Sequence, residues 1–135
     1  MEKFIVSIEK QSDGTFIAYN TNVDETTLIG TGSTVAEAKD DFYNSMKEDI
    51  EICKEEGIEI NEALFNEPEF RFDVSSLFEY YNFINVSAFA RWIGMNESLL
   101  RQYKKGNVYV SEAQLKKIED GFHRLSKDFS RLTLA

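Results

Sequence analysis

Apolar and polar residues alternate near the start of the chain. Phe4, Val6 and Ile8 fall on one side of an extended segment, and Lys3, Ile5, Ser7 and Glu9 on the other. A period of two is the pattern of a half-buried strand. Asp13-Gly14 then supplies a turn, and residues 16–19 can return as the second arm of a β-hairpin. A third short strand is expected around residues 26–30. Beyond it the period changes. Thr34-Val35-Ala36-Glu37 has the form of a capping box, in which hydroxyl and carboxylate each satisfy a backbone N–H at a helix start. Val35, Ala38, Phe42, Met46, Ile50 and Cys53 follow at three- and four-residue intervals, which is one apolar stripe of an amphipathic helix. Gly57 is placed to end that helix in a left-handed conformation, since it has no Cβ to clash there. Phe70, Phe72 and Val74 alternate with Glu69, Arg71 and Asp73, which predicts one more strand and an order β-β-β-α-β.

The second half of the chain carries only helical periods. Ser76-Leu77-Phe78-Glu79 has the form of another capping box and is expected to open the first helix of a new unit, with Leu77, Phe78 and Tyr81 inward. The boundary expected on this basis separates residues 1–74 from residues 75–135, with the single proline, Pro68, near the junction. Asn85 can cap a helix over residues 86–93, Gly94 can end it, and Asn96 can cap the next. In that next helix Leu99, Leu100 and Tyr103 form the buried side, Ser98, Arg101, Gln102 and Lys105 look outward, and Gly106 closes the element. Two short helices joined by three or four residues around a glycine predict a helix-turn-helix. Ala90 lets the helices approach, and Phe89, Ile93 and Leu100 can fill the space between them.

Ser111 with Gln114 predicts a further capped helix, along which Leu115, Ile118, Phe122, Leu125, Phe129 and Leu132 step in a heptad pattern. Gly121 inside it costs about 1 kcal/mol against alanine, which leaves both a continuous helix and a bend or break open there. The early part of the seam should cover its own unit. Leu125, Phe129 and Leu132 are left for a second copy, so a homodimer or higher homo-oligomer is expected, the alternative being that they pack onto the acidic domain. Trp92 is expected to pack on the preceding helix, and His123, the only histidine, has no companion that would make it a ligand.

Charge changes what these helices can do. The chain has a net charge of -9, which as an average argues against a polyanionic partner. Residues 1–75 hold 6 Lys/Arg against 18 Asp/Glu, a net of -12, whereas residues 76–135 hold 9 against 6, a net of +3. Only the second half suits phosphate, because affinity for a duplex comes largely from cations that displace counterions. In a helix-turn-helix the N-terminal part of the second helix enters the major groove. Here that part is Asn96, Glu97 and Ser98, followed a turn later by Arg101 and Gln102. Arginine can pair with guanine, glutamine or asparagine with adenine, and glutamate can accept from cytosine. Lys104, Lys105 and Asn107 are placed for the phosphate backbone. The competing reading makes Arg101, Gln102 and Lys105 the solvated face of a small helical domain.

Cys53 is the sole cysteine, so no internal disulfide can form, and a small buried hydrophobe is expected there. The early apolar run Phe4-Ile5-Val6 is far shorter than the roughly 20 residues of a membrane span. No membrane association and a cytoplasmic location are the expectations.

Asp13-Gly14 between two strands, Gly30-Thr31-Gly32-Ser33-Thr34 running into Glu37-Ala38, and a long helix closing at Glu55-Glu56-Gly57 together resemble the N-terminal domain of HicB antitoxins. The resemblance spans about residues 3–74 and implies a partial RNase H-like fold. The family's proline- and glycine-containing segment between its second and third strands is replaced by Asn20-Thr21-Asn22-Val23-Asp24-Glu25. Residues 85–106 resemble the Cro and phage-repressor (Xre) class, with Ala90, Gly94, Leu100 and Gly106 in the class positions, and the likeness extends over about residues 75–125. HicB antitoxins often join two such parts. The conjunction implies an α+β chain that masks a small basic, HicA-like ribonuclease toxin through its acidic domain and represses its operon by binding double-stranded operator DNA. The alternative is a stand-alone helix-turn-helix regulator without a toxin. RNase H-type catalysis needs carboxylates converging on two metal ions. Glu9 and Asp73 lie at strand ends, whereas Glu48, Asp49, Glu51, Glu55 and Glu56 fall on a helix surface, so neither an enzyme nor a metal or cofactor is expected.

Overall fold

In the computed structural model, which describes residues 3–24 and 26–135, the chain is α+β, with a four-stranded sheet and five α-helices among those residues. It divides into two compact units, Met1–Asn82 and Phe83–Ala135.

The first unit begins with the hairpin. Strands β1 (Ile5–Lys10) and β2 (Phe16–Asn20) pair antiparallel, with Lys10 opposite Phe16. Gly14 turns the chain at φ 87, and the Asp13 carboxylate accepts the Thr15 N–H at 2.9 Å. Strand β3 (Ile29–Gly32) pairs with β2, and β4 (Glu69–Phe72) lies parallel to β1, giving the order β3-β2-β1-β4. Two asparagines organise the segment between β2 and β3. Asn20 donates to the Val23 and Thr26 carbonyls and accepts from Leu28 N–H, all within 2.8 Å, while Asn22 accepts from Ile5 N–H at 2.8 Å.

Helix α1 (Val35–Glu56) covers one face of the sheet. Thr34 and Glu37 form the expected reciprocal box, and Gly57 ends the helix at φ 69. Hydrogen bonds from the Ser33 hydroxyl and backbone N–H hold the Glu37 carboxyl below its usual range. Val35, Ala38 and Phe42 are fully buried against Val6, Ile8 and Ala18, whereas Ile50 and Cys53 are only half-buried near the helix end. Cys53 is therefore a partly covered thiol and not the enclosed hydrophobe expected.

Strand β3 lies later than the expected residues 26–30, and its two glycines explain why. A Cβ on Gly30 would collide with the Phe42 amide and the Ala38 carbonyl and stand 2.7 Å from Phe42 Cα. These glycines sit inside a strand because α1 runs against its backbone. The helix also closes the outer edge of β3: Asp41 accepts the Thr31 N–H at 2.9 Å and Ser45 donates to the Ile29 carbonyl at 2.8 Å.

Helix α2 (Val74–Tyr80) corrects the expected boundary. It belongs to the first unit, where Ser76 and Phe78 are buried and Tyr80 stacks on Phe72 at 5.9 Å. Its N-cap is Asp73, which accepts from Ser76 N–H at 2.8 Å, so the Ser76–Glu79 box does not form. The chain leaves β4 at Phe72 and Asp73 is the first residue free to cap. Glu79 instead accepts the Val35 N–H at 2.9 Å, tying α2 to the start of α1. Pro68 is buried within this unit, before β4, and marks no junction.

Among the described residues no helix is long and apolar enough to cross a membrane. Replacing Gly30 with alanine should destabilise the first unit by about 3 kcal/mol or more, because the added methyl meets helix backbone that cannot rotate away. Denaturant unfolding of Gly30→Ala should report that loss.

Candidate nucleic-acid interface

The second unit is built from three capped helices. Asn85 accepts from Ala88 N–H at 2.9 Å and starts α3 (Val86–Ile93). Gly94 ends it at φ 74, a conformation that a Cβ disfavours. Two residues on, Asn96 accepts from Leu99 N–H at 3.0 Å and starts α4 (Glu97–Lys105). Gly106 ends α4 at φ 81, and Ser111 caps α5 (Glu112–Ser130) by accepting from Gln114 N–H at 3.3 Å. The two short helices are thus separated only by Gly94, Met95 and Asn96.

Packing fixes them. Ala90 and Leu100 are fully buried, and Phe89, Ile93, Met95, Tyr103 and Ile118 complete the small core. Helix α5 is continuous through Gly121, so no break falls there. The reason for glycine is space. A Cβ there would stand 2.5 Å from Ile93 Cγ2 and 3.1 Å from Phe89 Cζ, so Gly121 is where α5 approaches α3. Phe122, next along the chain, meets Phe89 with ring centroids 4.6 Å apart. Lys117 reaches back to donate to the Gly94 carbonyl at 3.0 Å, bracing the turn. Trp92 lies beside Phe89 and takes the guanidinium of Arg124, on α5, over its ring at 4.1 Å. His123 is exposed on α5.

The residues expected to contact DNA fall on or beside α4. Ser98, Arg101, Gln102, Lys104, Lys105 and Asn107 are exposed, and Glu97 is half-buried. Asn96 is exposed too, but its side-chain oxygen is engaged by the cap, leaving its amide nitrogen as the outward donor. Glu97 is ion-paired with Arg91 of α3. Arg101 donates through Nη1 to the Ser87 hydroxyl of α3 at 2.8 Å. Helices α3 and α4 are therefore joined on their exposed side by two polar bridges as well as by the core beneath.

Ser87 and Arg91 were absent from the expected site. Their signal was legible in the spacing, since Ser87 and Arg91 are four residues apart on one helix and Glu97 and Arg101 four apart on the next. Residues at that spacing share a helix face. Tyr109, 85% exposed in the loop before α5, is a third residue that sequence reasoning passed over.

With the observed boundary the charge segregation deepens. The first unit holds 6 Lys/Arg and 19 Asp/Glu, a net of -13, and the second holds 9 and 5, a net of +4. In the first unit, Glu9 accepts from the Tyr19 hydroxyl at 2.9 Å, while Asp73 accepts both Lys10 N–H at 3.0 Å and Ser76 N–H. Among the described residues no three His, Cys, Asp or Glu side chains are grouped so as to hold a metal ion.

Gly121→Ala should lower the stability of the second unit by ~1 kcal/mol: the gain in helix propensity is outweighed by the collision with the branched, short side chain of Ile93. Thermal unfolding of the full chain checks the sign. No family model matches the chain, and neither a curated protein nor a solved structure does.

Proposed function

We propose that this chain is a HicB-like antitoxin whose second unit reads operator DNA through a helix-turn-helix made of α3 and α4. The observation that carries the reading is the exposed polar face of α4 on the only cationic unit of an acidic chain. Ser98, Arg101 and Gln102 offer donors and acceptors for base edges, and Lys104, Lys105 and Asn107 lie at the end of α4 that would meet phosphate. The N-terminal unit has a four-stranded sheet, the β-β-β-α-β order that resembles the HicB domain, and a net charge of -13. That charge suits a small basic ribonuclease toxin, which it would mask sterically and electrostatically.

The end of α5 supports two copies on one operator. Leu125 is half-buried, Phe129 is 61% exposed, and Leu132, expected on the same helix, lies just past its end at Ser130 and is 65% exposed. Burying such side chains against a second copy contributes about 1.5–3 kcal/mol each, and a dimer presents two α4 helices to successive major grooves.

The test is a mobility shift of a duplex covering the promoter of the chain's own operon, with stoichiometry measured in the same samples. Wild type should bind as two copies per site. Arg101→Ala with Gln102→Ala should weaken that binding about a hundredfold, since each good base pairing carries roughly 1–3 kcal/mol of discrimination. Capture of a basic protein encoded beside it should survive the same changes. An undiminished shift in the double variant would contradict the assigned surface.

A further inference from the structure

Resting on the DNA-reading assignment above, we propose that Ser87 and Arg91 of α3 are positioning residues that decide which base positions α4 discriminates. Two bridges cross from α3 to α4. One joins Arg91 to Glu97 across the turn, six residues apart in sequence, and the other joins Ser87 to Arg101 at 2.8 Å, fourteen apart. Each ends on a side chain of α4 that can make a base contact.

The chemistry differs at the two ends. Arginine carries five N–H donors in a rigid plane on a long flexible stem. A hydrogen bond from one Nη1 proton of Arg101 to Ser87 Oγ fixes the plane of the fork and leaves the remaining donors to meet an acceptor pair such as guanine O6 and N7. Without that tether the same side chain can swing to any nearby phosphate, which supplies affinity and no sequence information. Glu97 presents the opposite problem. A carboxylate at the groove-entering end of a helix is repelled by phosphate. Pairing Oε1 with Arg91 offsets the charge and orients Oε2, which can then accept from a base amino group such as that of cytosine.

The bridges have little work to do for the fold. Ala90 and Leu100 are already fully enclosed between the helices, with Phe89 and Ile93 around them. Arg91 and Glu97 have side chains 60% and 38% exposed, and ion pairs at such exposure contribute little to stability. Their consequence falls on side-chain orientation.

Selection of the full-length chain against a pool of randomised duplexes tests the assignment. Ser87→Ala should flatten one position in the selected site and lower the ratio of selected-site to random-duplex affinity about tenfold, the scale of one bidentate base pairing. Ser87→Thr, which keeps the hydroxyl, should restore both. Arg91→Ala should change the preference at a different position, the one that Glu97 faces. Thermal unfolding of all three variants should follow wild type. A Ser87→Ala protein that selects the wild-type site with undiminished discrimination would overturn the assignment while leaving DNA reading intact. A fall in discrimination that tracks a fall in unfolding temperature would also overturn it, since Ser87 would then act through packing. A wild-type chain that enriches no sequence would remove the DNA reading itself and this assignment with it.

Discussion

Close approach between elements at residues with little or no side chain underlies both units. In the first, Gly30 lets β3 lie directly on the second and third turns of α1, which then closes the strand's outer edge through Asp41 and Ser45. In the second, Ala90 sits fully buried where α3 meets its neighbours, and Gly121 brings α5 onto Phe89 and Ile93. A methyl group at either glycine would push a helix away from its support. Under the proposed DNA-reading role Gly121 bears on the site directly, because α5 supports α3, and α3 in turn holds Arg101 and Glu97.

Charge is then laid over this frame unequally. Fifteen cations and 24 carboxylates would give a uniformly acidic surface if they were mixed, but 9 of the cations lie in the second unit with only 5 carboxylates. The two signs of charge are thus concentrated in different units of one chain. Within the second unit, Arg91 pairs with Glu97 and so offsets one of the few negative charges beside the α4 face.

Local signals carried most of what the sequence made legible. The turn at Gly14, the Thr34–Glu37 box, the helix ends at Gly57, Gly94 and Gly106, and the caps Asn85, Asn96 and Ser111 each depend on residues within a few positions of one another. The failures share the opposite character. The expected third strand stops at Gly30 because nothing local reveals α1 lying against Gly30 and Gly32, and Ser76–Glu79 reads as a cap until Asp73 takes that position at the end of β4. Helix α2 was assigned to the wrong unit because the groups that hold it, Val35, Phe72 and Lys39, lie elsewhere in the chain or on the far side of the supposed boundary. At the candidate site, the outward residues of α4 were legible from helical period alone. Spacing puts Ser87 and Arg91 on one helix face, but their contacts with Arg101 and Glu97 depend on how two helices face each other.

The central claim is that the cationic second unit engages duplex DNA although the chain as a whole is acidic. The dependence of duplex affinity on salt measures it most directly, since each phosphate neutralised by a lysine or arginine contributes close to -0.9 to the slope of log K against log salt. The full-length chain should give a slope of about -3 or steeper between roughly 50 and 200 mM salt. A slope near zero, or affinity that rises with salt, would contradict the account.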